Sequence, residues 1–415
     1  MIRRLLILIV FFQSHQLVFS QFRKYSNEFM NIGAGARAMA MGNAQIASVD
    51  DATAGYWNPS NLILIGEKSS AMLMHAEYFS GIAKYDYGSI AVPVQGNKRA
   101  VGFSFLRFAV DDIPNTLYLV QPDGSINYNN IQSFSSADYA FLFSYAQHLK
   151  TKSKKLSGIS IGSNAKIIYR KVGSFAKSFG FGLDASVSMH RKKWNLALMA
   201  KDISTTFNAW SFSFSEQEKA ALYLTNNNIP VKSTELTAPR LIFGGARQFK
   251  INKSIELKTE GSFDFIFDGK RNSIISSNAL NVDPHFGVEA GIKKTFFVRA
   301  GISNFQKVLA DADVLNQQTK WISQPSLGAG FNLKNTTIDY AFTNLANQEN
   351  PLYTHVFSLK VNFVSKMNLL KKLNINTLLG TPKTPVKNVK NKKVIIKPEE
   401  KKPTNKTSPY LRLHF

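Results

Sequence analysis

The chain lacks cysteine entirely, and only 19% of its 415 residues are charged. The absence of cysteine excludes disulfide scaffolds, thiolate zinc sites, iron–sulfur clusters and cysteine nucleophiles. No apolar run approaches the ~20 residues that a membrane-spanning helix needs. Phe (32), Tyr (14) and Gly (25) are abundant, which is not the composition of a disordered chain. The sequence therefore predicts a folded protein without a transmembrane helix.

Acidic residues are also scarce, with 27 Asp and Glu against 51 Lys and Arg and a net charge of +24. Such a balance can indicate nucleic-acid binding. Residues 364–415, however, hold thirteen of the basic residues and only two acidic ones, which is +11 of the total. No recognition motif accompanies this excess, so we expect no nucleic-acid partner.

The N-terminus has the features of a secretory signal peptide. Arg3 and Arg4 precede an apolar run from Leu5 to Phe12, and the small residue Ser20 stands before Gln21. A positive start, a short apolar stretch and a small residue at the cleavage site are typical of such peptides. The sequence predicts a signal peptide over 1–20 and an exported protein; the alternative is a buried N-terminal helix.

Most of the chain alternates between apolar and polar residues with period two. In 178–190, for example, Phe179, Phe181 and Leu183 alternate with Gly180 and Asp184. This is strand periodicity. The segments run for roughly ten residues or more, against ~5–6 in soluble proteins. Strands that are aromatic on one side and charged on the other indicate an all-β transmembrane barrel of the outer membrane, with lipid outside and a polar lumen.

The alternating segments give fourteen predicted antiparallel strands within a barrel over 67–363. They are 70–78, 84–94, 98–110, 137–149, 157–171, 178–190, 193–202, 240–250, 254–267, 283–292, 294–304, 325–333, 335–344 and 354–363. Short connections alternate with long ones at 111–136, 203–239, 268–282, 305–324 and 345–353. Outer-membrane barrels have short periplasmic turns and long extracellular loops. We therefore predict that the N- and C-termini are both periplasmic.

Residues 31–62 are rich in Gly and Ala and do not alternate. They contain Gly35, Arg37, Met41, Gly42, Asp50, Asp51, Tyr56, Trp57, Asn58 and Pro59. On these residues the segment resembles the hatch of the FadL-type outer-membrane family, and its sequence is most similar to the PorV/PorQ branch associated with type IX protein secretion. The resemblance implies a hatch over 21–66 that plugs a fourteen-stranded barrel.

These hatch residues also have a physical rationale. Small residues allow close packing of backbone inside a barrel. Arg37 can pair with Asp50 or Asp51, because an unpaired buried charge is unfavourable. Tyr56 and Trp57 can wedge against the inner wall. The alternative role for these residues is direct contact with a cargo molecule.

The predicted tail, 364–415, is rich in Lys and Pro and does not alternate. Such a composition indicates an extended, solvated linker. The tail either tethers a periplasmic partner or an anionic surface, or has no partner.

The sequence provides no support for an enzyme, and we predict no catalytic residues, cofactor or metal. The seven His residues are scattered without metal-ligand spacing, and a Gly-x-Ser-x-Gly elbow is absent. Charges on the predicted inner face, such as Asp184, Glu289 and Arg299, indicate a paired network in the lumen.

Two functions remain. The resemblance implies an accessory of type IX secretion that docks to the translocon barrel and hands on secreted cargo proteins. The alternative is a FadL-type transporter of long-chain fatty acids or other hydrophobic small molecules. Trp210, Phe212 and Phe214 in the long connection 203–239 suit protein contacts or an apolar entrance for a small molecule.

Overall fold

The fold is described from a computed structural model. The structure describes residues 25–79, 81–94, 98–149, 158–230, 232–309, 319–344 and 353–364. The predicted signal peptide and all of the predicted tail after Val364 lie outside these residues. None of the helices among the described residues has the length and hydrophobicity needed to cross a bilayer.

The described chain is mostly antiparallel sheet, and its long strands arise from the apolar/polar alternation of the sequence. The strands are β1 (Ser69–Tyr78), β2 (Ala83–Val94), β3 (Arg99–Asn115), β4 (Gln132–His148), β5 (Ile159–Val172), β6 (Ala176–Arg191), β7 (Trp194–Lys201), β8 (Thr206–Phe212), β9 (Ser233–Thr237), β10 (Arg240–Lys250), β11 (Ile255–Ile266), β12 (Ile275–Ser276), β13 (Asn281–Ile292), β14 (Phe296–Leu309), β15 (Thr319–Leu333), β16 (Thr336–Asn344) and β17 (Tyr353–Phe363). The α-helices are α1 (Ala36–Ala40), α2 (Ala54–Trp57) and α3 (Glu216–Leu224), and 3-10 helices span Glu28–Asn31, Pro59–Ile65 and Tyr128–Asn130.

Fourteen of these strands form the wall of a closed barrel, and each overlaps one of the fourteen predicted segments. The wall consists of β1 to β7, β10, β11 and β13 to β17, each paired with its neighbours in this order. β1 also pairs with β17, from Ser69 opposite Phe363 to Ala76 opposite Val356. This seam closes the sheet, so each of the fourteen wall strands is paired on both sides, as a sheet in lipid requires. The predicted fourteen-stranded barrel is confirmed.

The remaining three strands lie in two connections that the sequence predicted to be loops, so this part of the prediction was wrong. Connection 203–239 contains β8, α3 and β9, and connection 268–282 contains β12. β6 pairs with β7 along Ala185–Arg191 and with β8 along Ala176–Phe181. β8 and β9 therefore continue the wall beyond β7 and β10. These strands are only two to seven residues long, so they lack the long alternation that marked the other strands.

The two ends of the barrel differ. Short connections join the strands at the end where β1 begins and β17 finishes, which we call the short-turn end. The opposite side, the long-loop end, carries β8, β9 and α3. Tyr25 lies at the long-loop end, where the Arg271 guanidinium is 4.6 Å from its ring centroid. Val364 follows β17 at the short-turn end. The first and the last described residues therefore lie at opposite ends of the barrel, whereas the sequence predicted both termini on the same side.

The two faces of the wall differ as the alternation predicts. Outward side chains are large and apolar, and Phe179 and Phe143 are 58% and 51% exposed. Inward positions on the same strands, such as Ser178 and Ala140, are buried. An apolar outer surface on a closed sheet is the arrangement that lipid requires.

Candidate functional site in the barrel lumen

Residues 25–66, which we call the hatch, are folded inside the barrel. Their backbone donates to inward-facing hydroxyl groups on widely separated strands. Gly42 N donates to Ser326 Oγ on β15 at 3.0 Å, and Ser60 N donates to Ser186 Oγ on β6 at 2.9 Å. Because these strands lie on different sides of the wall, the hatch crosses the lumen.

Glycine lets the hatch backbone approach the wall closely. A Cβ on Gly301 of β14 would lie 2.1 Å from Gly42 N, and a Cβ on Gly162 of β5 would lie 2.2 Å from Ser60 N. Real Cβ atoms do not approach other atoms so closely. Gly42 itself has φ of +61°, which favours glycine. Larger residues at the wall positions would displace the hatch.

Arg37 of α1 joins the hatch to the wall through an ion network. Its Nη1 lies 2.8 Å from Asp50 Oδ1, and its Nε lies 2.8 Å from Glu289 Oε2 on β13. Arg299 of β14 contacts Glu289 at 2.7 Å and Asp339 of β16 at 2.8 Å. The Arg37, Glu289 and Arg299 side chains are each at most 7% exposed. Each of these buried charges therefore has an opposite charge beside it, as their burial demands.

Of the two acids that the sequence offered to Arg37, Asp50 is the partner. Burial raises the pKa of Asp50, but Arg37, Lys258 and Lys360 outweigh it and lower this pKa from 3.8 to about 2. Asp51 instead accepts from Thr53 N at 2.9 Å and from Thr53 Oγ1 at 2.6 Å. Asp50 therefore pairs with Arg37 across the hatch, whereas Asp51 begins the turn into α2.

The other predicted hatch residues also lie in the lumen, where they contact the hatch itself or different sides of the wall. Tyr56 Oη donates to Met30 O at 2.8 Å, and Trp57 Nε1 donates to Ala34 O at 2.8 Å. Asn58 Nδ2 donates to Ser188 Oγ on β6 at 2.8 Å. The remaining three lie in the same segment: Gly35 N is 3.0 Å from Met74 Sδ, Met41 is fully buried, and Pro59 begins a 3-10 helix.

A cavity of about 420 Å³ lies between the hatch and the long-loop end. Six aromatic side chains contribute to its lining, among them Tyr56 and Trp57 of the hatch and Tyr78 and Phe108 of the wall, and most of the other lining residues are polar or charged. The Tyr78 and Phe108 ring centroids are 6.4 Å apart. Tyr78 is 4% exposed, and its hydroxyl has no hydrogen-bond partner among the described residues. The cavity therefore combines an apolar surface with an unused polar group.

Lys201 of β7 also lines this cavity. Its Nζ lies 3.1 Å from Asn31 Oδ1, 3.3 Å from Met30 O and 5.2 Å from the Tyr56 ring centroid. Lys201 is 8% exposed, and among the described residues no carboxylate lies within 4 Å of its ammonium. The other cations of the cavity are paired, Arg240 with Asp264 at 3.2 Å and Arg271 with Glu28 at 2.7 Å. Lys201 thus keeps its charge available to a ligand.

A second cavity of about 340 Å³ lies on the other side of the hatch, towards the short-turn end. Its lining is charged and includes Arg37, Asp50, Lys258 and Glu289. Lys258 Nζ lies 3.6 Å from Glu289 Oε1. Hatch residues line both cavities, so the hatch separates them.

Trp210 and Phe212 of β8 and Phe214 after it form a half-buried aromatic row at the long-loop end. Trp210 and Phe212 have ring centroids 6.3 Å apart, and those of Phe212 and Phe214 are 6.5 Å apart. Trp210 Nε1 donates to Glu235 Oε2 at 2.9 Å, and the Arg170 guanidinium lies 5.1 Å from the Trp210 ring centroid. The row therefore packs against its own barrel as well as offering aromatic surface.

Sequence reasoning missed Lys201, because a lone lysine at the end of a strand gives no sign of its partners. It also missed Lys166, a buried residue whose Nζ lies 2.6 Å from Asp184 Oδ1. Both lysines stand at positions that alternate with outward-facing residues, so the sequence did indicate that their side chains point into the lumen. Among the described residues, no group of three or more His, Asp or Glu is placed to hold a metal ion.

Together these features define a closed fourteen-stranded β-barrel of the outer-membrane type with a hatch folded in its lumen. Several solved outer-membrane barrels have a similar fold. The toluene transporter TodX of Pseudomonas putida matches 80% of this chain and 98% of its own at 11% identity, with a TM-score of 0.49. The toluene transporter TbuX of Ralstonia pickettii matches 80% of this chain and 98% of its own at 13% identity, with a TM-score of 0.46. The CymD monoaromatic hydrocarbon channel matches 80% of this chain and 97% of its own at 12% identity, with a TM-score of 0.49. No protein-family model and no curated protein matches the chain.

Proposed function

We propose that this barrel admits hydrophobic small molecules that carry an acidic group, such as long-chain fatty acids, across the outer membrane. The observation that carries the proposal is Lys201, whose ammonium has no carboxylate within 4 Å among the described residues, in a cavity that Tyr56, Trp57 and Phe108 help to line. A buried charge without a counter-charge is unfavourable. A bound carboxylate would supply that counter-charge, and the ligand's apolar part would lie against Tyr56, Trp57 and Phe108.

The size of the cavity supports this function. Its volume of about 420 Å³ falls within the ~300–1,000 Å³ typical of small-molecule sites. Such sites combine apolar and aromatic surface with a few polar groups that fix orientation. Tyr78, with its free hydroxyl, offers a second polar contact. The type of ligand that fits is therefore amphipathic rather than a pure hydrocarbon.

Passage to the other side requires the hatch to move, because it separates the two cavities. The ion network of Arg37 holds the hatch at the short-turn side, and the 3.0 Å bond from Gly42 N to Ser326 holds it to β15. We infer that ligand uptake is coupled to the release of these contacts. The proposal places the long-loop end outside the cell and the short-turn end in the periplasm.

Binding of a fluorescent long-chain fatty acid and of its methyl ester to the purified full chain in detergent tests the proposal. We expect Lys201→Met to weaken binding of the acid about tenfold or more, as loss of a charge-assisted contact implies. The affinity for the methyl ester should not change. Lys219→Met in α3, at the surface, is the matched control. Equal affinity of wild type and Lys201→Met for the acid would overturn the proposal, provided that both migrate as folded barrels before boiling.

A second candidate is the type IX accessory role, in which the protein contacts the translocon barrel and secreted cargo. The aromatic row Trp210–Phe212–Phe214 favours it, because aromatic side chains dominate protein interfaces. Crosslinking in cells followed by affinity purification tests this role. Recovery of translocon or cargo proteins with wild type but not with Trp210→Ala would support it. Unchanged secretion together with impaired fatty-acid uptake in a deletion strain would contradict it.

A further inference from the structure

Charged side chains cover part of the outer surface of the barrel on β1, β2 and β3. This polar patch comprises His75, Glu77, Lys84, Asp86 and Arg107. His75 Nδ1 lies 2.7 Å from Asp86 Oδ1, and Arg107 Nη1 lies 2.9 Å from Asp86 Oδ2. Their side chains are between 31% and 59% exposed. They point outward, because the residues between them, such as Met74, Tyr85 and Leu106, are buried.

The polar patch interrupts the apolar band of the barrel. On β6 the outward positions from Phe179 to Met189 are all apolar or small. On a tilted strand this stretch spans about 25 Å along the membrane normal, which is the height of a bilayer-facing band. On β3 the outward apolar stretch runs only from Val101 to Phe105 before Arg107, or about 10 Å by the same arithmetic. Charges within the band are unfavourable against acyl chains. We therefore expect this surface to contact something other than lipid tails.

From this geometry we infer that the polar patch is an interface with a second copy of this chain. The patch is self-complementary, which a twofold contact requires. A twofold axis along the membrane normal, beside the outer surface of β2, sets β1 of one copy against β3 of the other. Glu77 and Arg107 each lie eight residues from the short-turn end of their strands, at Ser69 and Arg99. Glu77 of each copy then faces Arg107 of the other.

The exposure and the neighbours of the Glu77 carboxylate are consistent with this contact. Its carboxylate is 59% exposed, and the basic side chain within 4 Å of it among the described residues is the His75 ring at 3.8 Å. Lys84, opposite Glu77 on β2, is paired with Asp111 at 3.0 Å, and Arg107 Nη1 is paired with Asp86 at 2.9 Å. A guanidinium has five N–H donors, so Arg107 can donate to a second carboxylate while it keeps Asp86. Glu77 is the most exposed acid of the patch, and Arg107 of a second copy is its complement.

The absence of cysteine allows a direct test in native membranes. Ile90 on β2 faces outward near the proposed axis, and Leu183 on β6 faces outward in another sector. We expect Ile90→Cys to form a disulfide-linked species of twice the chain's mass, in which two differently tagged copies co-purify. Leu183→Cys, the matched control, should remain a monomer. No crosslink at Ile90→Cys, equal crosslinking at both sites, or an adduct with a different protein would each overturn the inference.

Charge reversal tests the specific pair. In the Ile90→Cys background, Glu77→Arg should reduce the crosslinked fraction about tenfold, because it sets like charges opposite each other. Adding Arg107→Glu should restore it, because the swap exchanges the two signs. Gel mobility before and after boiling identifies variants that fail to fold, and Lys84→Met serves as a further variant that leaves the Glu77–Arg107 contact intact. An undiminished crosslink in Glu77→Arg, or no recovery in the folded double variant, would contradict the proposed geometry.

Discussion

Arg37 and Glu289 form a two-point ion pair between the hatch and the wall. Arg37 Nε lies 2.8 Å from Glu289 Oε2, and Arg37 Nη2 lies 3.1 Å from Oε1. The pairing of a planar guanidinium with a carboxylate at two points fixes direction as well as distance. This contact therefore sets the orientation of α1 inside the barrel.

Removing this arginine should destabilise the protein. Arg37→Ala leaves Asp50 without its closest cation and Glu289 dependent on Arg299 and Lys258. We expect a loss of about 3 kcal/mol in the free energy of unfolding, as for a broken buried ion pair. Urea unfolding in detergent micelles measures it. Lys219→Ala, which breaks an exposed pair with Glu216, should change nothing measurable. Similar stabilities for wild type and Arg37→Ala would show that the network is dispensable.

A methyl group at the closest approach of hatch and wall should open the lumen. Gly301→Ala places a Cβ 2.1 Å from Gly42 N, so the hatch must shift. We expect faster entry of small polar solutes into liposomes that contain this variant. Gly261→Ala is the matched control, because its Cβ points to Phe286 Cδ1 at 3.4 Å, an ordinary contact. A folded Gly301→Ala barrel that stays as closed as the control would contradict the expectation.

Two buried tyrosines should respond differently to loss of the hydroxyl. Tyr56 Oη donates to Met30 O and accepts from Gly33 N at 3.0 Å, so Tyr56→Phe should cost about 1–2 kcal/mol in the free energy of unfolding. The Tyr78 hydroxyl has no partner among the described residues, so Tyr78→Phe should be neutral or stabilising. Thermal unfolding of the two variants side by side measures the difference. Equal losses would mean that Tyr78 has a partner in solution.

Acid should loosen the hatch within a defined range of pH. The pKa of Asp50 is lowered from 3.8 to about 2 in the folded protein. A carboxyl whose folded pKa is depressed stabilises the fold above its unfolded pKa and loses that contribution as pH falls to the folded value. We therefore expect the hatch amides to lose protection, relative to their intrinsic exchange rate at each pH, as the pH falls from 3.8 to about 2, measured by hydrogen exchange. Asp50→Asn should weaken this dependence, and an unchanged profile in that variant would assign the acid sensitivity to other groups.

The wall was predictable from the sequence because its signal is local. Each long strand alternates within its own ten or so residues, and β6, with Phe179 outward and Ser178 inward, shows this pattern clearly. α3 was missed although Ser215 and Glu218 form a capping box at its start, because the surrounding polar sequence resembles a loop. The signal for β8 and β9 was weak because each is only five to seven residues long.

The lumen was predictable only in part, because its contacts join residues that are far apart in sequence. Arg37 was expected to pair with Asp50 or Asp51, thirteen or fourteen residues away, and it binds Asp50. Its second partner, Glu289, is on β13, and only the closed barrel brings the two together. Lys201 illustrates the same limit, because its lack of a carboxylate partner depends on every strand that surrounds it.

The threading of the hatch constrains how the barrel can be built during biogenesis. The hatch precedes β1 in the chain, yet it bonds to β15 and to Ser358 of β17, whose Oγ accepts from Ala36 N at 3.2 Å. The seam between β1 and β17 is the last to have both strands synthesised. Pairing of β17 with β1 therefore does two things at once: it completes the cylinder and, through Ser358, it adds a contact to the segment enclosed within.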